Sequence, residues 1–287
     1  RFSLKFDKGI ARWYFSFGSF VCLSSSLTFL LDQFDDFWAG TLLGAVPLGF
    51  YSRAYEFARY PRRAVANPIT RVFFPAYAKL QHDRLRLSKA FYRAGSLMVR
   101  AGFLLSLVSV LVIPEFTRIF IGAKWLPMIA AFRLMILYTL LDPLILTAGH
   151  LLTAVGRPQA LTKIKGFQFL VFVPAVIILS QILGIEGVAI AVDLMALIGL
   201  ALILTRIKDF VDFSLRKMLC YPLVGLILAA GTALFIEGRL TLNSDWLSLA
   251  AKGGVATAVY TGFLLLFEFP MYRKGLRLAY RSFFEAQ

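Results

Sequence analysis

Long apolar runs dominate the chain, and they recur at intervals that suit membrane-spanning helices. A spanning helix needs about 20 consecutive, mostly apolar residues. Eight segments meet this test or come close, and they run roughly over residues 13–43, 48–80, 90–121, 126–155, 166–183, 187–204, 219–236 and 247–269. The pattern therefore predicts an all-α membrane protein with about eight transmembrane helices.

The composition supports this fold class and excludes several others. Hydrophobic residues make up 59% of the 287 residues and charged residues 16%, whereas soluble domains carry about 25% charged residues. Such a chain is not disordered, collagen-like or a typical soluble enzyme. The two cysteines and two histidines are isolated, without the spacing of a zinc site or a redox pair. No catalytic or nucleotide-binding motif is present, so we expect no metal and no cofactor.

The charges are distributed unevenly between the two sides of the predicted helices. Lys and Arg exceed Asp and Glu by 31 to 16. With the N-terminus inside, segments 1–12, 79–93, 157–165, 206–217 and 271–287 carry twenty Lys and Arg, and the outer segments carry only Lys124 and Arg239. Cytoplasmic loops of membrane proteins have this excess, so both termini should be cytoplasmic and the charge does not point to nucleic acid. The chain begins at Arg1 rather than Met, and we interpret it as a fragment of a longer protein.

The second segment, 48–80, is unusually polar for its apolar setting. If the segment is one continuous helix, its polar residues fall within one third of the circumference. They are Ser52, Arg53, Glu56, Arg59, Arg63, Asn67, Thr70 and Arg71. Charged side chains at membrane depth do not face lipid, so this stripe should line an aqueous cavity and bind an anionic headgroup such as a phosphate or pyrophosphate. Pro61, Pro68 and Pro75 lie away from the stripe, and proline breaks helices where the backbone lines a cavity.

Two other interpretations of this segment remain open. It could be an amphipathic helix lying in the cytoplasmic interface of the membrane. Its arginines could also form internal ion pairs with Glu56, although one glutamate cannot neutralise five arginines. Arg62 lies nearer the apolar side of the helix and is harder to place.

Carboxylates within the predicted spans are candidates for ion coupling. Such groups bind a coupling cation or relay protons, or they pair with surplus arginines. Asp32, Asp35 and Asp36 form a cluster in the first segment, while Asp142 and Asp193 are isolated in later ones. We take Asp32, Asp35 and Asp193 as the candidate coupling residues, and the cluster makes the stronger case.

Several stretches together resemble a known family. They are Asp35–Gly44 (DDFWAGTLLG), Leu48–Tyr55 (LGFYSRAY), Val72–Gln81 (VFFPAYAKLQ), Phe120–Pro127 (FIGAKWLP) and Leu151–Arg157 (LLTAVGR). Their order and spacing over about the first 165 residues resemble the second half of bacterial polysaccharide and oligosaccharide flippases. These proteins belong to the superfamily of multidrug, oligosaccharidyl-lipid and polysaccharide exporters. The family motif has a single Asp where Asp35 stands, and here Asp36 follows it.

The resemblance implies an architecture and a function. Residues 1–205 would form the C-terminal six-helix lobe of a flippase, and 206–287 two additional transmembrane helices with a basic cytoplasmic tail. The substrate would be an undecaprenyl-pyrophosphate-linked oligosaccharide, moved across the bacterial cytoplasmic (inner) membrane by ion-coupled alternating access. The chain would be a transporter and not an enzyme. Its partners would be membrane lipids, the lipid-linked oligosaccharide, and the missing N-terminal lobe or other membrane subunits.

This interpretation assigns the basic stripe to the substrate. The expected substrate-binding residues are Arg53, Arg59, Arg63, Asn67, Thr70, Arg71, Arg100 and Arg133. The alternatives are a truncated, flippase-like structural subunit of a larger membrane assembly, or a membrane glycan ligase or polymerase. Ligases and polymerases usually carry functional groups in a large outer loop, and the longest predicted outer loop has about ten residues.

Overall fold

A computed structural model describes residues 8–239 and 244–284, with side chains up to Glu268 except that of Trp13. These residues are helical and include no strand, which confirms the predicted all-α class. The α-helices are α1 (Lys8–Leu43), α2 (Ala45–Ala58), α3 (Asn67–Leu80), α4 (Arg84–Phe116), α5 (Met128–Leu134), α6 (Ile136–Ala154), α7 (Pro158–Leu183), α8 (Ile185–Ile207), α9 (Leu215–Arg239) and α10 (Asp245–Phe284). Two wider π-helical turns follow α2 and α4, at Arg62–Ala66 and Thr117–Ile121, and α10 is kinked at Glu268.

Seven of these helical stretches are long and apolar enough to cross a membrane. They correspond to seven of the eight predicted segments, so the chain is a multi-pass membrane protein. The predicted second segment is the exception, because it is divided among α2, the turn at 62–66 and α3. Its many charged residues also leave it without a sufficiently apolar stretch.

The described residues form two compact units. The first unit contains the described residues up to Gly102 together with Lys124–Phe213. In it, α7 packs on α1 and α8, α6 packs on α8 and α3, and α2 packs on α5. Large apolar side chains fill its interior, among them Tyr51, Tyr77, Phe91, Phe132 and Phe172. Aromatic side chains of this size contribute large contact areas between these helices.

Tight glycine turns separate consecutive helices of the first unit. Gly44, between α1 and α2, has a φ of 90°, and Gly184, between α7 and α8, has a φ of 61°. A side chain is strained at positive φ, so glycine suits both positions. At both positions a single residue separates the end of one helix from the start of the next.

The second unit contains Phe103–Ala123 and the described residues from Ser214 onward. Helices α9 and α10 pack against each other, and α10 contacts the π-helical turn at 117–121. The predicted division of the chain lies at residue 205, whereas the compact units separate at Phe213. The units also assign the end of α4 to the C-terminal helices rather than to the predicted lobe.

Candidate functional site

The polar second segment is a broken helix that presents its residues in two groups. Helix α2 ends at Ala58, and the backbone continues through Pro61 into the π-helical turn at 62–66. Pro68 lies in the first turn of α3 and Pro75 in its interior. Since a proline cannot donate the helical hydrogen bond, these positions favour the irregular backbone. A π-helical turn is wider than an α-helical one and changes the direction of the side chains that follow it.

A cavity of about 840 Å³ opens within the first unit. Its wall is formed by α1, the π-helical turn at 62–66, α3, α6, α7 and α8. A volume of this size is in the range of about 300–1,000 Å³ that is usual for ligand pockets. The wall combines apolar side chains with at least as many polar and charged ones: Ser24, Ser25, Thr28, Asp32, Arg62, Asn67, Thr70, Arg71, Tyr138, Asp142, His150, Thr153 and Lys165.

Three cations lie on this wall. Arg62 has one carboxylate nearby, because its Nε lies 3.5 Å from Oδ2 of Asp142. Among the described residues, Arg71 and Lys165 form no ion pair within 4 Å. Asp32, the second carboxylate of the wall, is bound by Arg59. The cavity therefore has an excess of positive charge, which favours an anionic ligand.

Hydrogen-bonding groups lie beside these cations. Asn67 and Thr70 are one and two turns beyond Arg62 along the chain, and both line the cavity. The Thr70 hydroxyl is buried and has no hydrogen-bond partner among the described residues. Buried polar atoms are normally paired, so this hydroxyl is suited to binding a ligand oxygen.

The acidic cluster of α1 is held by residues of α2 and by Arg59. The hydroxyl of Tyr51 donates a hydrogen bond to Oδ2 of the fully buried Asp35. Ser52 donates to Asp36 over 2.7 Å, and Arg59 Nη2 donates to Asp32 over 3.0 Å. The second oxygen of Asp35 is buried and has no hydrogen-bond partner among the described residues. The cluster therefore contains one carboxylate that can still accept a proton or a hydrogen bond.

The structure separates the predicted basic stripe into two sets. Asn67, Thr70 and Arg71 line the cavity, whereas Arg53, Arg59 and Arg63 do not. Arg53 and Arg63 are exposed and pair with Glu56 over 2.8 and 3.5 Å. These pairs and the one between Arg59 and Asp32 correspond to the alternative in which the arginines are neutralised internally. Further carboxylates come from α1 and α6, so Glu56 does not have to neutralise the arginines alone.

The three remaining candidates also lie outside the cavity wall. Arg100 is buried on α4, and its Nη1 donates to the carbonyl of Ser96 over 2.9 Å. Arg133 is exposed in the last turn of α5. The buried carboxylate of Asp193 accepts hydrogen bonds from the backbone N–H groups of Leu137 and Tyr138, over 3.3 and 2.7 Å. Asp193 thus caps the first turn of α6.

The predicted site residues leave out much of this wall, including Arg62, Tyr138, Asp142 and Lys165. A continuous helical projection places Arg62 on the apolar side, and the π-helical turn at 62–66 departs from that projection. The sequence carries a signal for two of them, because Asp142 is one of the isolated carboxylates of the later apolar segments and Lys165 lies at the edge of the predicted segment 166–183. No group of three His, Cys, Asp or Glu residues within the described ranges could hold a metal ion.

Residues 1–130 match the model of a protein family described as "Polysaccharide biosynthesis protein". The chain is 30% identical over 202 residues to the lipopolysaccharide biosynthesis protein WzxC of Escherichia coli, a match that covers 70% of this chain and 41% of WzxC. It is 28% identical over 152 residues to the teichuronic acid biosynthesis protein TuaB of Bacillus subtilis, covering 53% of this chain and 32% of TuaB. The chain therefore spans less than half the length of these relatives.

The fold is also similar to that of a solved flippase. The lipid II flippase MurJ, in an inward closed conformation, superimposes with a TM-score of 0.71 and 16% sequence identity. The match covers 88% of this chain and 53% of the MurJ chain. Together the comparisons confirm the resemblance to polysaccharide flippases. The match to the polysaccharide biosynthesis protein family is confined to residues 1–130.

Proposed function

We propose that the chain is part of a transporter that flips an undecaprenyl-pyrophosphate-linked oligosaccharide across the bacterial cytoplasmic membrane. The observation that carries the proposal is the cavity of about 840 Å³ in the first unit, with Arg62, Arg71 and Lys165 on its wall. A pyrophosphate presents several acceptor oxygens, and arginine and lysine donors bind such groups through charge-assisted hydrogen bonds. The hydroxyls, Asn67 and the aromatic side chains of the wall suit the sugar next to it.

The site supports a transporter rather than an enzyme acting on lipid-linked sugars. Flipping breaks no covalent bond, so a cavity that binds the headgroup through cations and hydrogen-bonding groups needs no catalytic residue. Apolar residues such as Leu31, Ile145 and Ile203 complete the wall and would accommodate the part of the isoprenoid chain next to the headgroup.

Lipid binding tests this proposal directly. The 287-residue chain would be placed in lipid nanodiscs and titrated with geranylgeranyl pyrophosphate, with geranylgeraniol as the uncharged control. Several charge-assisted hydrogen bonds distinguish the two probes, so the pyrophosphate should bind at least about tenfold more tightly. Equal affinity for the two probes would contradict the proposal and favour the structural-subunit alternative.

We further propose that Asp32 and Asp35 couple transport to an ion gradient. Asp35 is fully buried, hydrogen-bonded to Tyr51 through one oxygen, and its other oxygen has no hydrogen-bond partner in the described part of the chain. Asp32 lies one turn before Asp35 on α1, and it lines the cavity. In a transport-competent assembly, replacing both with Asn should remove the response to imposed proton or sodium gradients. An unchanged response would exclude both residues from coupling.

Transport by this chain should require a second lobe or other membrane subunits. A flippase presents its site to each side in turn, usually by rocking one repeat against another. The relatives are more than twice as long as the regions they share with this chain. Proteoliposomes that contain only these 287 residues should therefore bind the lipid and not translocate it. Translocation by the purified chain alone would overturn the two-lobe arrangement.

A further inference from the structure

The two carboxylates on the cavity wall are held very differently. Asp32 Oδ2 accepts a hydrogen bond from Arg59 Nη2 at 3.0 Å, and Tyr55 donates to its other oxygen over 3.5 Å. Asp142 Oδ2 lies 3.5 Å from Arg62 Nε, and this buried oxygen has no hydrogen-bond partner among the described residues. Asp32 is therefore anchored to a residue outside the cavity wall, whereas Asp142 is only loosely paired with a residue of the wall.

Loose pairing makes the partner of Arg62 exchangeable. A guanidinium has five N–H donors in a planar fork, and it binds carboxylates and phosphates best through two parallel hydrogen bonds. The contact with Asp142 provides no such geometry. Normal hydrogen bonds between Arg62 and a phosphate would be stronger than the carboxylate contact that they replace.

We propose that Asp142 competes with the anionic headgroup for Arg62 and thereby limits how tightly the cavity holds its substrate. The inference rests on the proposed function, because it concerns the same cavity. Other charged groups surround this pair: Asp32 on α1, Arg71 on α3 and Lys165 on α7 also lie on the wall. Without a competing carboxylate, three cations would face one pyrophosphate, and release would be slow.

The position of Asp142 fits this role. It lies on α6 directly before Pro143, one turn after Tyr138 and two turns before His150, and all but Pro143 line the cavity. Asp142 is thus a positioning residue for Arg62 rather than a ligand of the anion. A carboxylate placed there only to neutralise charge would act on every cation of the cavity, not on Arg62 in particular.

A double-mutant cycle separates these two roles. Geranylgeranyl pyrophosphate would be titrated into nanodiscs of the full chain carrying no substitution, Asp142→Asn, Arg62→Gln, or both. Arg62→Gln should weaken binding by about tenfold or more, since a charged hydrogen-bond donor is lost. Asp142→Asn should tighten binding by about threefold to tenfold, and this gain should fall below about twofold when Arg62 is already Gln.

The outcomes are distinguishable. Equal tightening by Asp142→Asn in both backgrounds would show that the carboxylate acts only as a general negative charge, and unchanged or weaker binding would remove its competing role. If Arg62→Gln bound the pyrophosphate as tightly as the wild type does, that result would count against the proposed function. Asp142→Glu provides a second variant if Asp142→Asn does not fold. It keeps the competing charge, so it should bind no more tightly than the wild type, and tighter binding would contradict the inference.

Discussion

Asp193, a predicted coupling residue, has a structural role in the fold. An isolated aspartate in an apolar segment suggests ion coupling, and here it accepts the backbone N–H groups of Leu137 and Tyr138. The first N–H groups of a helix have no partner within the helix. The carboxylate on α8 therefore caps the start of α6 next to Tyr138, which lines the cavity.

Replacing Asp193 tests that capping role. Asp193→Ala should lower the free energy of unfolding by about 1–2 kcal/mol, because two N–H groups lose their acceptor. Asp193→Asn should retain most of the stability, since an amide oxygen also accepts these hydrogen bonds. Thermal unfolding in detergent, followed by tryptophan fluorescence, would measure both. If Asn were as damaging as Ala, the negative charge itself would be required and two ordinary hydrogen bonds would not account for the cap.

The residues of the cavity could be predicted in part from the sequence. A helical projection correctly places Asn67, Thr70 and Arg71 on one face. It misplaces Arg62, because a projection at constant angle does not include the π-helical turn at 62–66. It also cannot show which carboxylates from other helices meet the arginines, since the pairs of Arg59 with Asp32 and of Arg62 with Asp142 depend on tertiary packing.

At the scale of elements, the contact between α7 and α8 depends on small residues. A Cβ atom at Gly187 would lie 2.0 Å from the backbone carbonyl oxygen of Leu179, a contact that no side-chain rotation relieves. At Gly199 it would lie 2.1 Å from Nε2 of Gln168, which donates to the carbonyl of Met195. Such close approach is typical of helix pairs in membranes.

Gly187→Ala should therefore destabilise the chain by about 1–3 kcal/mol, the usual cost of overpacking. Gly166→Ala is a matched control on α7, because its Cβ would lie 4.0 Å from Leu27, an ordinary contact. Thermal unfolding of the two variants in the same detergent compares them. Equal stability of the two would contradict the close packing of α7 on α8.

An ion-pair network links α9, α10 and the end of α4 within the second unit. Lys252 is buried, and its ammonium group donates to Glu115 over 2.9 Å and to Glu237 over 2.5 Å. Arg118 forms a two-pronged pair with Asp245. The apolar pattern predicts these helices but not their pairing, because partners such as Glu115 and Lys252 lie far apart along the chain.

Removing one charge of this network should lower the free energy of unfolding strongly, and removing two opposite charges together should lower it less. Lys252→Met leaves Glu115 buried without its main counter-charge and should cost about 3–5 kcal/mol. The double substitution Lys252→Met with Glu115→Gln should recover part of that loss, because no buried charge remains unpaired. Unfolding measurements on the two variants would decide this, and additive losses would contradict the direct pairing.

At the scale of the whole molecule, the fold class follows from the sequence more securely than the arrangement of its parts. Seven predicted segments form candidate spans because each contains a sufficiently long apolar stretch. The division into two units does not follow from hydropathy, since residues 103–123 join the C-terminal helices by tertiary contacts. Asp212, which lies between α8 and α9, accepts two hydrogen bonds from Arg84, and this pairing lowers the pKa of its carboxyl.

The charge asymmetry predicts the orientation of the chain. Single cysteines would be introduced at Arg86, Lys163 and Lys124 after the exposed Cys22 and Cys220 are replaced by Ser. A membrane-impermeant maleimide should label position 124 in intact cells, and positions 86 and 163 only after permeabilisation. Labelling of position 163 in intact cells would overturn the predicted orientation.

The central claim is that cations on the wall of the cavity bind an anionic lipid headgroup. Lys165 and Lys163 lie two residues apart on α7, but Lys165 lines the cavity and Lys163 is exposed outside it. The most direct measurement is the affinity of geranylgeranyl pyrophosphate for nanodiscs of Lys165→Met and of Lys163→Met. Lys165→Met should weaken binding by about tenfold or more, and Lys163→Met should bind like the wild type. Equal affinities of the two variants would contradict the account.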